Sequence, residues 1–130
     1  AMLGVDPSQI CLWASSANPR PAIKAMTSEE ESYHDGLRCA VIYYGAVRKI
    51  SGSFPQNFAL LAVRAGKDDP GFSDNMNELT DWAQAEGVDV SIIDYEEGIH
   101  GFDIWQDTPR TREIIGQTLE FLKEQLQIKQ

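Results

Sequence analysis

This sequence has no long hydrophobic run. None of its apolar stretches approaches the ~20 residues a membrane-spanning helix needs, which argues against a helical membrane protein. Positive charge is scarce too: 11 Lys and Arg stand against 20 Asp and Glu, a formal net charge of −9. A surface of that sign repels phosphate backbones, so a nucleic-acid partner is not expected. There are only two cysteines, Cys11 and Cys39, and their spacing matches no metal-site pattern. Both fall in or beside apolar stretches. They are expected to be reduced core residues of a cytoplasmic protein, the alternative being a disulfide between them. Internal repeats, low-complexity tracts and a signal-peptide pattern are all missing. Ala1 ahead of Met2 reads as a vector remnant before a native start.

What is present is an ordinary globular composition, 42% hydrophobic over 130 residues, which fits a single domain spanning 1–130. A chain of this length buries roughly two-thirds of its unfolded surface, enough for a packed core. Four apolar runs punctuate it: Gln9–Ala14, Arg38–Tyr44, Phe58–Ala65 and Val88–Tyr95. They are continuous rather than alternating, which suits strands covered on both faces and hence a parallel sheet. Helical stretches separate them. The first lies within Pro21–Glu31. The second is predicted over Asp74–Glu86, with Ser73 as N-cap, Gly87 as stop, and Met76, Leu79 and Ala83 sharing a face. The third is predicted over Pro109–Gln127, capped by Thr108, with Ile115, Leu119, Leu122 and Leu126 as the stripe on the sheet. Gly45–Gln56 reads as a long loop. This alternation predicts an α/β fold of about four parallel strands flanked by helices, with right-handed crossovers.

Open α/β sheets keep their chemistry just past the carboxyl ends of strands. Three groups occupy such places. Ser16 follows the first run, in Trp13-Ala14-Ser15-Ser16-Ala17-Asn18-Pro19. A nucleophile lifted on a strand-to-helix turn needs small neighbours, because the backbone passes close to adjacent elements. Ala14 and Asn18 stand where the pattern Gly-x-Ser-x-Gly has glycines; alanine is small, and asparagine tolerates left-handed φ. Read in isolation, the same turn is an ordinary helix N-cap built on Ser15 or Ser16. Ala65-Gly66-Lys67-Asp68-Asp69-Pro70 follows the third run. Either aspartate could accept a hydrogen bond from an imidazole; the plainer reading is an acidic turn favoured by a helix dipole. Glu97-Gly98-Ile99-His100-Gly101-Phe102-Asp103 follows the fourth run and places His100 between strand and helix. His34 lies in the polar stretch Glu31–Gly36 and is expected to face solvent. His100 with Asp103, Glu96, Glu97, Asp68, Asp69 and Asp74 has no standard ligand spacing, so no metal is expected.

Taken together, Ile10 to Pro19, Val63 to Asn75 and Glu97 to Asp103 resemble the dienelactone hydrolase-like branch of the α/β-hydrolase superfamily. His100-Gly101-Phe102-Asp103 is the most specific element, and the likeness runs over nearly the whole chain. The chain order Ser, Asp, His is that of the superfamily's triad. The resemblance implies Ser16 as nucleophile, Asp69 or Asp68 as acid, His100 as base and the Ala17 amide in the oxyanion hole. It calls for no cofactor. Dienelactone hydrolases proper use a cysteine nucleophile, so Ser16 points to an esterase-like serine hydrolase acting on small carboxylic esters.

Only eight residues precede the first run. The resembled fold has roughly eight strands, and its second oxyanion donor comes from a loop after an early one. The chain therefore looks like the carboxyl-terminal half of that fold. Gln9–Ala14 becomes an open, apolar edge, which invites pairing with another chain. A homodimer through this edge, its strands antiparallel, or a complex with a separate amino-terminal half is expected. The alternative function is a binding or assembly module that is catalytically inactive but keeps the triad side chains by descent.

Overall fold

The computed structural model describes residues 4–28, 35–45 and 52–126. His34 and residues 46–51 of the long loop lie outside the described residues. In chain order the elements are β1 (Ile10–Ser15), α1 (Pro19–Met26), β2 (Leu37–Tyr43), β3 (Ala59–Ala65), α2 (Pro70–Ala85), β4 (Asp89–Tyr95), α3 (Phe102–Trp105) and α4 (Pro109–Gln125). The four strands are all parallel and lie in the order β1-β2-β3-β4. The partial α/β architecture read from the sequence is the one observed.

Because each strand adds on the same side of its predecessor, right-handed connections place α1 and α2 on one face. There Ile23 and Met26 of α1 and Met76, Leu79, Trp82 and Ala83 of α2 pack on Ala40, Ile42, Leu60 and Ala62. The alternate residues Val41, Tyr43, Leu61 and Val63 point to the opposite face, where Ile114, Phe121 and Leu122 of α4 cover them. Coverage on both faces holds for β2 and β3 only. β4 is largely exposed, contrary to the expectation of a sheet buried throughout, because among the described residues no strand lies beyond it and α4 sits over β2 and β3.

Three local readings are corrected. First, Cys11 and Cys39 are not reduced: a disulfide joins them. They are register partners on β1 and β2 with Cα atoms 4.6 Å apart, within bridging reach, a proximity that a separation of 28 residues conceals. Second, α2 begins at Pro70 rather than Asp74, and its N-cap is Asp69, not Ser73. Proline suits the first turn, where its missing N–H costs nothing, and the Asp69 carboxylate accepts from the Gly71 N–H at 2.8 Å. Third, of the predicted α4 stripe Leu122 packs on the sheet, but the fully buried positions are Thr111, Ile114 and Thr118, while Leu119 is 54% exposed.

Apolar spacing missed those positions because both threonines bury a satisfied hydroxyl. Thr118 donates to the Ile114 carbonyl at 2.9 Å, which leaves its oxygen to accept from the Tyr43 hydroxyl at 2.5 Å. Thr111 and the Tyr95 hydroxyl are 3.1 Å apart. Burial pushes the Tyr43 hydroxyl up to about 12. Thr118→Val would strand that hydroxyl in the core. The expected loss is roughly 1–3 kcal/mol by urea denaturation. Adding Tyr43→Phe should recover most of it, since removing both partners leaves no orphan.

Candidate active site

β1 ends in a sharp turn. Ser16 has φ of +60°, a left-handed conformation unusual for serine, and its N–H donates to the Tyr43 carbonyl of the neighbouring strand at 3.2 Å. The Asn18 N–H closes the turn onto the Ser15 carbonyl at 3.1 Å, and α1 starts at Pro19. The Ser16 hydroxyl is thereby aimed over the carboxyl ends of the strands, as a nucleophile elbow requires.

β3 delivers the carboxylates. Gly66 follows it at the closest approach between two loops: its N–H donates to the Tyr95 carbonyl at 2.8 Å. A Cβ there would lie 2.3 Å from the Glu96 carbonyl oxygen, so no other residue fits. The next amide, Lys67, donates to the Gly98 carbonyl at 2.9 Å. These two bonds hold the 66–69 turn against the 96–100 loop.

His100 sits in that loop for a topological reason. α4 must cover the face opposite to α1 and α2, so the chain after β4 crosses over the carboxyl ends of the sheet. Gly101, at φ +81°, turns it there, and the Trp105 ring lies against Gly101 where a Cβ would clash. Gln106 braces the loop. Its side-chain amide accepts from the Ile99 N–H and donates to the Glu97 carbonyl, both at 2.9 Å.

Ser16 Oγ lies 2.8 Å from His100 Nε2, and His100 Nδ1 lies 2.9 Å from Asp68 Oδ2. The Asp68 side chain is 4% exposed, and its other oxygen accepts the Asp69 N–H at 2.7 Å. An ionised carboxylate only accepts, so Nδ1 carries the proton toward Asp68 and Nε2 is free to accept from the Ser16 hydroxyl. Of the two candidate aspartates, Asp68 meets the imidazole, while Asp69 is exposed and caps α2. The Ala17 N–H, one residue past Ser16, has no acceptor among the described residues. Asp103 lies elsewhere: it accepts from the Tyr44 hydroxyl. Among the described residues no cluster of His, Cys, Asp and Glu is arranged to hold a metal ion.

The strand-end reading overlooked two residues. Tyr44 follows β2, the one strand end not considered, with φ of +34°. Its buried ring is 4.7 Å from the His100 ring, centroid to centroid. Burial, followed by the Asp103 contact, raises the Tyr44 hydroxyl above its ordinary range, so it stays a donor. Phe72, in the first turn of α2, flanks His100 at 4.6 Å. The signal for Tyr44 was its place at the end of an apolar run; Phe72 had none.

No family model matches the sequence, and no curated protein matches it. Solved structures do. MGS-M1, an alpha/beta hydrolase enzyme from a Medee basin deep-sea metagenome library, superposes with a TM-score of 0.80 at 14% identity over 98% of this chain and 58% of its own. This is a partial α/β-hydrolase fold. The Francisella virulence factor BioJ matches it with a TM-score of 0.79 at 12% identity, covering 95% of this chain and 55% of that one. Carboxyl esterase 2 from the mycorrhizal fungus Tuber melanosporum matches at 0.72 and 18% identity, covering 96% and 57%. The chain spans little more than half the length of these solved structures.

The division of labour between the two aspartates is measurable by NMR of the His100 imidazole. Asp68→Asn should turn the ring to the Nε2–H tautomer, because an amide nitrogen donates where the carboxylate accepted. Asp69→Ala should leave the tautomer alone and lower stability by about 1 kcal/mol through loss of the cap.

Proposed function

We propose that this half-fold carries the nucleophile, base and acid of a serine hydrolase acting on small carboxylic esters, of the dienelactone hydrolase-like kind with serine in place of cysteine. One observation carries the reading: Ser16, His100 and Asp68 form an unbroken hydrogen-bonded line of 2.8 and 2.9 Å. Ser16 Oγ attacks the ester carbonyl carbon while His100 Nε2 takes its proton. The imidazolium is stabilised by Asp68 and returns the proton to the departing alkoxide. Water then attacks the acyl-serine with His100 again as base, which releases the acid and regenerates Ser16. The Ala17 N–H is one donor to the oxyanion. Removing one such donor from a complete site costs on the order of 10²–10³ in rate, so efficient turnover calls for a second donor beside the Ala17 amide.

The surroundings fit an apolar ester. Phe72 is half-exposed beside His100, and Ile104 and Trp105, just past it, are 68% and 78% exposed. Clefts of about 550 and 640 Å³ lie elsewhere, and neither is lined by Ser16 or His100. The substrate would therefore be held between this surface and whatever completes the fold.

A fluorophosphonate probe tests the reading. Wild-type protein should be labelled at Ser16, and Ser16→Ala and His100→Ala should not be. An intact fold that stays unlabelled, including when its complement is bound, would leave the chain as a binding or assembly module.

A further inference from the structure

Tyr44 breaks the alternation of β2. A strand residue two places after Ile42 belongs on the face that Ile42 shares with Ala40, against α1 and α2. Tyr44 instead packs with Val41, Tyr43 and Phe102 on the opposite face. Its φ of +34° turns it there, while its N–H still pairs with the Val63 carbonyl of β3 at 3.0 Å. A residue other than glycine keeps such a conformation only where its surroundings over-determine it. Here the ring is edge-on to Phe102 at 5.4 Å and 4.7 Å from the His100 ring, and the hydroxyl donates to Asp103.

We infer that Tyr44 and Asp103 are a positioning pair for His100: their hydrogen bond pins α3 to the end of β2 and so sets the imidazole over Ser16. The purpose of the pair rests on the hydrolase reading. The residues before His100 are tied down by other means, through the Lys67 N–H on Gly98 and through Gln106 on Glu97 and Ile99. The residues after it are tied to the sheet by Phe102 and by Asp103. Phe102 is fully buried among Tyr43, Tyr44 and Tyr95, but apolar packing is not directional. A hydroxyl on a carboxylate is directional and charge-assisted, so Asp103 supplies the angular constraint. Adjacent residues of β2 thereby hold both partners of the proton transfer. The Tyr43 carbonyl accepts from the Ser16 N–H at 3.2 Å, and the Tyr44 hydroxyl holds the segment that carries His100. A base displaced by about 1 Å can cost as much as 10²-fold in rate, so a directional tie at this point matters.

Proton NMR of the His100 imidazole in the intact chain tests this. The Nδ1 proton facing Asp68 should exchange slowly with water. Tyr44→Phe keeps the ring and removes the bond; the proton should then exchange at least about tenfold faster, the factor carried by one hydrogen bond to a charged group. Asp103→Ala removes the same bond from its half-buried end and should do likewise, which decides the matter even where Tyr44→Phe does not fold. Asp103→Asn keeps an oxygen that accepts and should hold the wild-type rate. Leu79→Ala weakens the core on the other face and should also leave the rate alone. At saturating fluorophosphonate, Tyr44→Phe and Asp103→Ala should label Ser16 roughly ten- to a hundredfold more slowly, with probe affinity unchanged. Unchanged exchange in both bond-removing variants, an equal rise in Asp103→Asn, or an equal rise in Leu79→Ala overturns the inference. A wild type that never labels defeats the hydrolase reading, while the exchange rates, which need no reaction, still decide whether this pair holds His100.

Discussion

Four parallel strands laid down in chain order put every strand-to-helix turn at one end of the sheet, and the candidate chemistry depends on that shared end. Ser16 and His100 are 84 residues apart in sequence, and Asp68 and His100 are 32 apart. No local preference brings them together; the ladders β1–β2–β3–β4 do. The change of face after β4 adds the decisive turn. If α4 lay beside α2, the chain could leave β4 by a short loop and His100 would have no reason to lie over the sheet. Because α4 packs on the other face, the 96–107 segment has to travel across the strand ends, and Gly66, Gly101 and Gln106 fix where it stops.

The sequence was legible where physics is local. Runs of apolar residues marked all four strands to within a residue or so at each end, and Thr108-Pro109 marked the start of α4. Ser16 and His100 were readable because they directly follow such runs. What failed was long-range. Choosing between Asp68 and Asp69 required knowing that Pro70 starts α2, since an aspartate before a proline-led helix is drawn into capping. The disulfide was hidden because β-register is not written in spacing. The inner stripe of α4 was misread because threonine counts as polar until its hydroxyl is seen to be bonded at both ends, as in Thr118.

β1, like β4, has one strand neighbour among the described residues, and it leads into Ser16, the candidate nucleophile. Only β2 flanks it, joined through the ladder, the Cys11–Cys39 bond and an edge-on contact between Trp13 and Tyr43 at 5.4 Å. The disulfide and the aromatic contact both lie on the residues that face α4, where the helix layer thins out toward Leu119. They hold β1 in register without a second neighbour.

The two halves of the candidate machinery are unequally built, and the inequality follows from their place in the sheet. The acid–base half lies over β3 and β4. There Asp68 is buried, and the imidazole is held between Tyr44 and Phe72 with its tautomer set by the carboxylate. Preorganisation of that kind needs nothing from outside. The proposed oxyanion donor follows β1: the Ala17 amide has no acceptor among the described residues. Electrostatic stabilisation of a developing charge is strong only where water is excluded and donors are fixed in advance. On the proposed reading, the described residues offer the Ala17 amide to the charge that attack creates. On that reading the described residues are better furnished for proton transfer, through Asp68 and His100, than for charge stabilisation.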